Sequence, residues 1–211
     1  MAHPSDVRFL ILHGLKLKGF AEGEALSICT GAKVETVTKT LNALQAEGLI
    51  LHRDGRISGF ALTAPGRVAH GELLAADVLA SGQQALLHGN YESFLPLNAE
   101  LLSVCTAWQV VDINNNVLND HTDLTYDAGV IGRLESINQR VKPTTCALGE
   151  ALSRFASYQP RFDASLVRVK AGEREYFAKP ILDSYHTVWM ELHEDLLKSL
   201  NIDRASETPL M

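Results

Sequence analysis

Residues 26–67 read LSICTGAKVETVTKTLNALQAEGLILHRDGRISGFALTAPGR, and this stretch decides the fold. Inside it, residues 33–47 place Val34, Val37, Leu41 and Leu44 at offsets of 0, 3, 7 and 10, one apolar stripe of a helix. Gly48 stands in the position that ends such a helix in the left-handed conformation. Thr30-Gly31 ahead of it reads as a turn, with Thr30 as the N-cap of the helix that follows. After Gly48 the period changes. Residues 49–53 (LILHR) and 56–62 (RISGFAL) are strand-forming runs on either side of Asp54-Gly55, a tight-turn pair, so a β-hairpin is expected. Thr63-Ala64-Pro65-Gly66 then supplies an N-cap and a first-turn proline, opening a helix through about Leu79.

Working outward, residues 7–17 (VRFLILHGLKL) form a largely apolar helix ending near Gly19. Residues 21–29 form a short second helix with Ala25, Leu26 and Ile28 apolar. The order over residues 7–70 is therefore helix, helix, turn, helix, hairpin, helix. That is the order of a winged helix-turn-helix, in which the second helix of the turn enters the major groove and the hairpin touches the backbone. Five details recur here together: the Thr30-Gly31 turn, the Val37-xxx-Leu41-xx-Leu44 helix, the Glu47-Gly48-Leu49-Ile50 exit, a basic hairpin, and a closing Leu62-Thr63-x-x-Gly66-Arg67. The ordered set, about a third of the chain, resembles bacterial transcriptional regulators of the MarR and PadR type. The resemblance implies a regulator that binds double-stranded DNA as a homodimer, and not an enzyme.

If Val34, Val37, Leu41 and Leu44 pack inward, Lys33, Thr36 and Thr40 face base edges and Lys39 suits a phosphate. In the wing, Arg53 and Arg56 flank the turn with His52 beside them, as residues that clamp phosphates or probe a minor groove. Lys16 and Lys18 are expected to add backbone contacts. Charge is distributed to match. Residues 1–70 hold eight Lys/Arg against six Asp/Glu, while residues 71–211 hold eleven against nineteen, within a net charge of -6.

The expected fold is mainly α, with the winged helix-turn-helix over 1–80, an all-α dimerisation and effector domain over 81–203, and a disordered tail over 204–211. Helices are read at 90–111, 124–141, from Pro143 to about 156, 160–170, and from Pro180 to Leu200, with a polar loop at 112–123. Trp108, His121, Tyr126, Tyr185, His186 and Trp189 concentrate aromatic and polar character in a Leu/Ala-rich region. If they converge they make a pocket for a small-molecule effector, with an apolar wall and few polar anchors. Asp183, His186 and His193 share one helical face at offsets of 0, 3 and 10, a set suited to a divalent metal. A metal-binding helical sensor follows the winged helix in many GntR-type regulators. Trp189, Leu192 and Leu196 border the same face, so both histidines fit better at a core edge, bonded to carboxylates such as Asp120, Asp123 or Asp127. No other cofactor is indicated.

Composition narrows the class further. No apolar run reaches the roughly 18 residues needed to span a bilayer, and the first residues lack the pattern of a secretory signal, so a cytoplasmic protein without membrane contact is expected. Cys29, Cys105 and Cys146 are widely spaced and lack CxxC spacing, which fits small buried hydrophobes in a reducing compartment. There is no P-loop, GxGxxG after a strand, GxSxG or metal-hydrolase motif. The remaining alternative is an adaptor whose winged helix binds a protein.

Overall fold

The carboxylate of Asp6 accepts the Arg8 N–H at 2.8 Å and starts α1 (Val7–Lys18), which Gly19 ends at φ 78°. The computed structural model describes residues 1–55 and 58–207. α2 (Gly23–Thr30) closes on Gly31, whose left-handed backbone donates to the Ser27 carbonyl at 2.9 Å. α3 (Val34–Ala46) follows after two further residues, Ala32 and Lys33. Thr30 does not cap α3. Its hydroxyl donates to the Leu26 carbonyl at 2.6 Å and accepts from the Ala32 N–H at 3.2 Å, so it finishes α2, and Lys33 holds the N-cap position.

Val37, Leu41 and Leu44 are buried against Ile11, Leu12 and Leu15 of α1 and Leu26 of α2. Val34, expected in the same stripe, is 50% exposed. Side chains of a helix lean toward its N-terminus, so the first residue covers the turn ahead of the helix rather than the core.

β1 (Ile50–Arg53) and β2 (Gly59–Leu62) form an antiparallel pair in which Ile50 faces Leu62 and Arg53 faces Gly59. Five residues, 54–58, therefore lie between the strands, and the two-residue turn expected at Asp54-Gly55 is absent. Arg56 lies outside the described residues, as does Ile57. Phe60 exchanges both backbone hydrogen bonds with Ala21, at 3.0 and 2.9 Å, which ties the hairpin to the α1–α2 connection. Gly59 makes this possible: at φ 147° a Cβ would stand 3.1 Å from the Ala21 carbonyl carbon. α4 (Ala64–Ser81) is capped by Thr63, whose hydroxyl oxygen accepts the Gly66 N–H at 3.1 Å.

The remaining elements are α5 (Gln84–Gln109), β3 (Val110–Asp112), β4 (Val117–Leu118), α6 (Leu124–Ala151), a 3-10 turn (Ser153–Ser157), α7 (Tyr158–Lys170), α8 (Glu175–Ala178), α9 (Tyr185–Leu200) and a last 3-10 turn (Arg204–Ser206). α5 and α6 lie along one another, and α7 and α9 pack against them. Phe94, Leu134, Phe162, Phe177 and Trp189 belong to the core these helices enclose, which is separate from the core under α3.

Several expectations for this half are corrected. It is not all-α: β3 and β4 form a small antiparallel hairpin inside the stretch read as a polar loop. Asp112 accepts the Asn114 and Asn115 N–H groups at 2.9 and 3.2 Å, and Asn116 takes the left-handed conformation, so the asparagines are the turn. α6 runs straight through Pro143. Both Pro143 and Gln139, whose carbonyl the proline leaves free, are on the exposed side, and the buried stripe of Val130, Leu134, Ile137, Val141 and Leu148 continues past them. The last helix starts five residues after Pro180, at Tyr185, where the Ser184 hydroxyl accepts the Thr187 N–H at 3.3 Å. The tail read as disordered over 204–211 begins with the last 3-10 turn, and the Glu207 carboxylate accepts the Tyr91 hydroxyl at 2.6 Å and sits 2.7 Å from His193 Nε2, while residues 208–211 lie outside the described residues.

Candidate nucleic-acid interface

α3 presents Thr36, Lys39 and Thr40 within a sector of about 100°, beside the stripe that faces the core. Lys33, Thr36 and Lys39 are exposed, Thr40 is half-buried, and Arg53 at the end of β1 is exposed. The Thr40 hydroxyl donates back to the Thr36 carbonyl at 2.9 Å, so its oxygen and methyl group are what it can offer outward. Among the described residues no carboxylate pairs with Lys33, Lys39 or Arg53; of the acidic residues nearby, Glu35 stands exposed on α3, while Glu47 and Glu22 are engaged. Glu47 is held by both guanidinium nitrogens of Arg8, which keep its carboxyl below the usual carboxylate range. Glu22 accepts the Ser58 hydroxyl at 2.8 Å and lies 3.3 Å from His52 Nε2. The surface thus carries three cations without ion-pair partners, offset in part by the exposed carboxylates of Glu35 and Asp54, a modest positive excess for meeting a polyanion. His52 is drawn toward Glu22 and Asp54 instead.

Behind this surface the two cores are joined by buried charge. Lys18 does not face a backbone phosphate. Its ammonium lies 2.9 Å from Asp183 and 2.8 Å from Glu191, with its side chain only 10% exposed. Arg161 grips the same two carboxylates, at 3.0 Å and 2.6 Å. Burial opposes the charge on Arg161, but Glu191 and Asp183 outweigh it and raise its pKa, while Asp183 is pulled down to about 2 by Arg161 and Lys18 against the effect of burial. A second chain runs deeper. His13 Nε2 is 3.0 Å from Asp195, Arg154 bridges Asp195 and Asp77, and His3 reaches Asp77 at 3.2 Å. The Asp195 carboxylate also accepts the Tyr158 hydroxyl at 3.1 Å. Sequence reading did not single out these joint residues as a group. Their signal was a charged or imidazole side chain on an otherwise apolar face, as with His13 in FLILHGL and Asp195 in ELHEDLL.

His70 completes the chain, with its Nε2 2.9 Å from His13 Nδ1. Burial, then His13 and Lys16, lower its pKa to about 4. An unfolded histidine binds a proton near pH 6.5, which folded His70 refuses until about pH 4. The unfolded state therefore holds more protons across that window, and stability falls as pH drops from about 6.5 to 4, by as much as about 3 kcal/mol. Thermal melts across this range should show the decline, and His70→Gln should flatten most of it. A wild-type melting temperature that does not change over the window would contradict the assignment.

No family model, curated protein or solved structure matches this chain. Trp108, His121 and Tyr126 do come together, but as a closed knot. The Trp108 ring stacks on Phe177 at 4.2 Å and meets His121 at 4.4 Å, His121 Nδ1 lies 3.0 Å from Asp127, and the Tyr126 hydroxyl donates to the Ala107 carbonyl at 2.9 Å. Tyr185 and Trp189 pack around Phe162 in the core, donating to Asn138 at 3.2 Å and Asn98 at 2.9 Å respectively. His186 is half-buried on the same helix, and burial lowers its pKa. The three principal cavities among the described residues are lined by none of these six.

The metal set does not assemble either: among the described residues no three His, Cys, Asp or Glu side chains converge to hold an ion. Asp183 precedes the first turn of α9 and is committed to Lys18 and Arg161, so the helical offset that placed it beside His186 does not apply. His193 is turned toward Glu207 and Phe94. Burial pushes the Cys29 thiol up to about 11 and that of Cys105 to about 12, so neither is a thiolate near neutral pH. No helix among the described residues is long and apolar enough to cross a membrane.

A cleft of about 690 Å³ lies over the Lys18–Glu191 pairing. Phe20, Ala25, Ile181, Leu182 and Met190 line its apolar part. Ile181 sits at its rim in the left-handed region, φ 76°, which a β-branched residue adopts only at a cost.

Proposed function

We propose that this chain is a transcriptional regulator that binds double-stranded DNA through a winged helix-turn-helix formed by α1–α4 and the β1–β2 hairpin. α3 is the helix that enters the major groove. Lys33 and Thr36 reach base edges, Lys39 and Arg53 hold phosphates, and Thr40 adds an apolar methyl contact. The observation that carries the reading is the cation excess of this face: Lys33, Lys39 and Arg53 lack carboxylate partners among the described residues, Glu47 is tied to Arg8 and Glu22 to Ser58 and His52, and the exposed Glu35 offsets only part of that charge. One such face makes few phosphate contacts, so the active form is a homodimer that doubles them.

Binding of the full chain to fluorescent duplexes from the DNA flanking its own gene tests the proposal. Affinity should fall steeply with salt. In the triple variant Lys33→Gln/Lys39→Gln/Arg53→Gln the slope of log affinity against log salt should be shallower by roughly 3, one phosphate each, with a loss on the order of a hundred-fold at low salt. Thr36→Ala should instead change preference among sequences. No binding to any flanking fragment at low salt, or a triple variant with the wild-type slope, would overturn the reading. A stoichiometric protein partner recovered with the same face protected would establish the adaptor in its place.

A further inference from the structure

A second groove, of about 640 Å³, runs between α4, the end of α1 and the end of α9. Its charge is one-sided. Lys16, Arg67 and Lys198 line it together with His70, and no aspartate or glutamate does, in a chain whose net charge is -6. The larger cleft gives no such direction, because Lys18 there is matched by Asp183 and Glu191, and Arg204 by Glu194.

The three cations are also open to a ligand. Among the described residues Lys16 has no carboxylate partner. Arg67 spends one N–H on the Leu62 carbonyl at 3.1 Å and keeps its others. Lys198 is 3.5 Å from Glu194, a loose pair on one helix. The rest of the α4 wall, beyond Arg67, is apolar, built from Leu74, Val78 and Leu79, and Leu79 is 83% exposed. The groove floor is made of buried polar groups of the joint: His70, 4% exposed, and Ser199, whose oxygen accepts Arg154 Nη2 at 2.6 Å.

We propose that this groove binds a small organic anion, with the anionic head between Lys16, Arg67 and Lys198 and an apolar stem along Leu74, Val78 and Leu79. A concave site that combines an apolar stretch with unopposed cations recognises that combination and rejects the uncharged analogue. The site does not depend on the DNA-binding reading. His70 reports on it. From α1 it faces His13 and Lys16, from α9 Asp195 and Lys198, with the Phe9 ring stacked beside it, and an added negative charge in the groove favours its protonated form.

Calorimetric titration of the full chain near neutral pH and low salt, with hexanoate, hexyl phosphate and hexanol as probes, tests the proposal. Saturable one-site binding of one or both anions is expected, at least about ten-fold tighter than hexanol. Whichever anion binds tighter identifies the head group. Arg67→Gln/Lys198→Gln, both on the surface and so not needed for folding, should weaken binding about ten-fold or more, and Leu79→Ser about three-fold. In NMR titrations hexyl phosphate, which stays anionic at this pH, should move the His70 midpoint upward from about 4 in the wild type, and leave it in place in the double variant. Hexanol binding as well as the anions, an unaffected double variant, or no saturable binding of either anion up to about 10 mM would overturn the proposal. So would a random-sequence duplex that displaces hexyl phosphate, which would assign these cations to a nucleic-acid backbone.

Discussion

Replacing Arg154 with methionine is expected to remove about 3 to 5 kcal/mol of folding stability. The guanidinium is 1% exposed and reaches Asp77 at 2.9 Å, Asp195 at 3.4 Å and Ser199 at 2.6 Å, lying over the Phe155 ring. Methionine fills much of the same volume, so the loss is electrostatic. Asp77 would keep only His3, and Asp195 would keep His13, Tyr158 and Ser199 without its buried cation. A buried carboxylate stripped of its counter-charge costs far more than the net worth of the intact pair. Urea unfolding measures the effect, and Asp77→Leu added to Arg154→Met should restore part of the loss because one orphaned charge goes with it. A single variant within about 1 kcal/mol of wild type would show that the bridge does not hold the two cores together.

Gly66→Ala should cost about 3 kcal/mol, although alanine ordinarily stabilises a helix interior by up to about 1 kcal/mol over glycine. Gly66 lies in the first turn of α4, and a Cβ there would stand 1.9 Å from the Leu49 carbonyl oxygen. That oxygen cannot move aside freely, because it already accepts the Thr63 N–H at 3.0 Å and the Thr63 hydroxyl at 3.0 Å. Gly71, on the same helix with open space around its Cβ position, provides the contrast: Gly71→Ala should gain about 0.5 to 1 kcal/mol. Thermal or urea unfolding of both variants reads the difference directly. Equal stability of the two would refute the close approach.

The contrast also shows what residue patterns could reveal. The 26–67 stretch was legible because its signals are local. A stripe at helical spacing, Gly48 at φ 72°, and Thr63 capping α4 each lie within a few residues of what they determine. The Leu-Thr-x-x-Gly-Arg run was recognisable as a motif, but its reason, Gly66 against Leu49, exists only once the hairpin folds back. The C-terminal half was less legible because its punctuation misled. Pro143 and Pro180 carry the pattern of prolines at helix starts, whereas a buried stripe spanning the first and a Ser184 cap beyond the second set the true boundaries. Trp108, Tyr185 and Trp189 are large amphipathic side chains that lie in the core, with the polar atoms of Tyr185 and Trp189 bonded to Asn138 and Asn98. The joint escaped notice because its members, from His3 to Ser199, are spread along the whole chain, and no spacing rule links them.

The division of that joint between the two cores has a consequence for chimeras. His3, His13, Lys18 and Asp77 come from one side, and Arg154, Arg161, Asp183, Glu191 and Asp195 from the other. Neither side is self-sufficient in charge at the contact. The α1–α4 unit transplanted onto a foreign helical partner would bring buried half-pairs with it, so the portable piece is the unit together with the complementary charges of α7, α9 and the turn between α6 and α7.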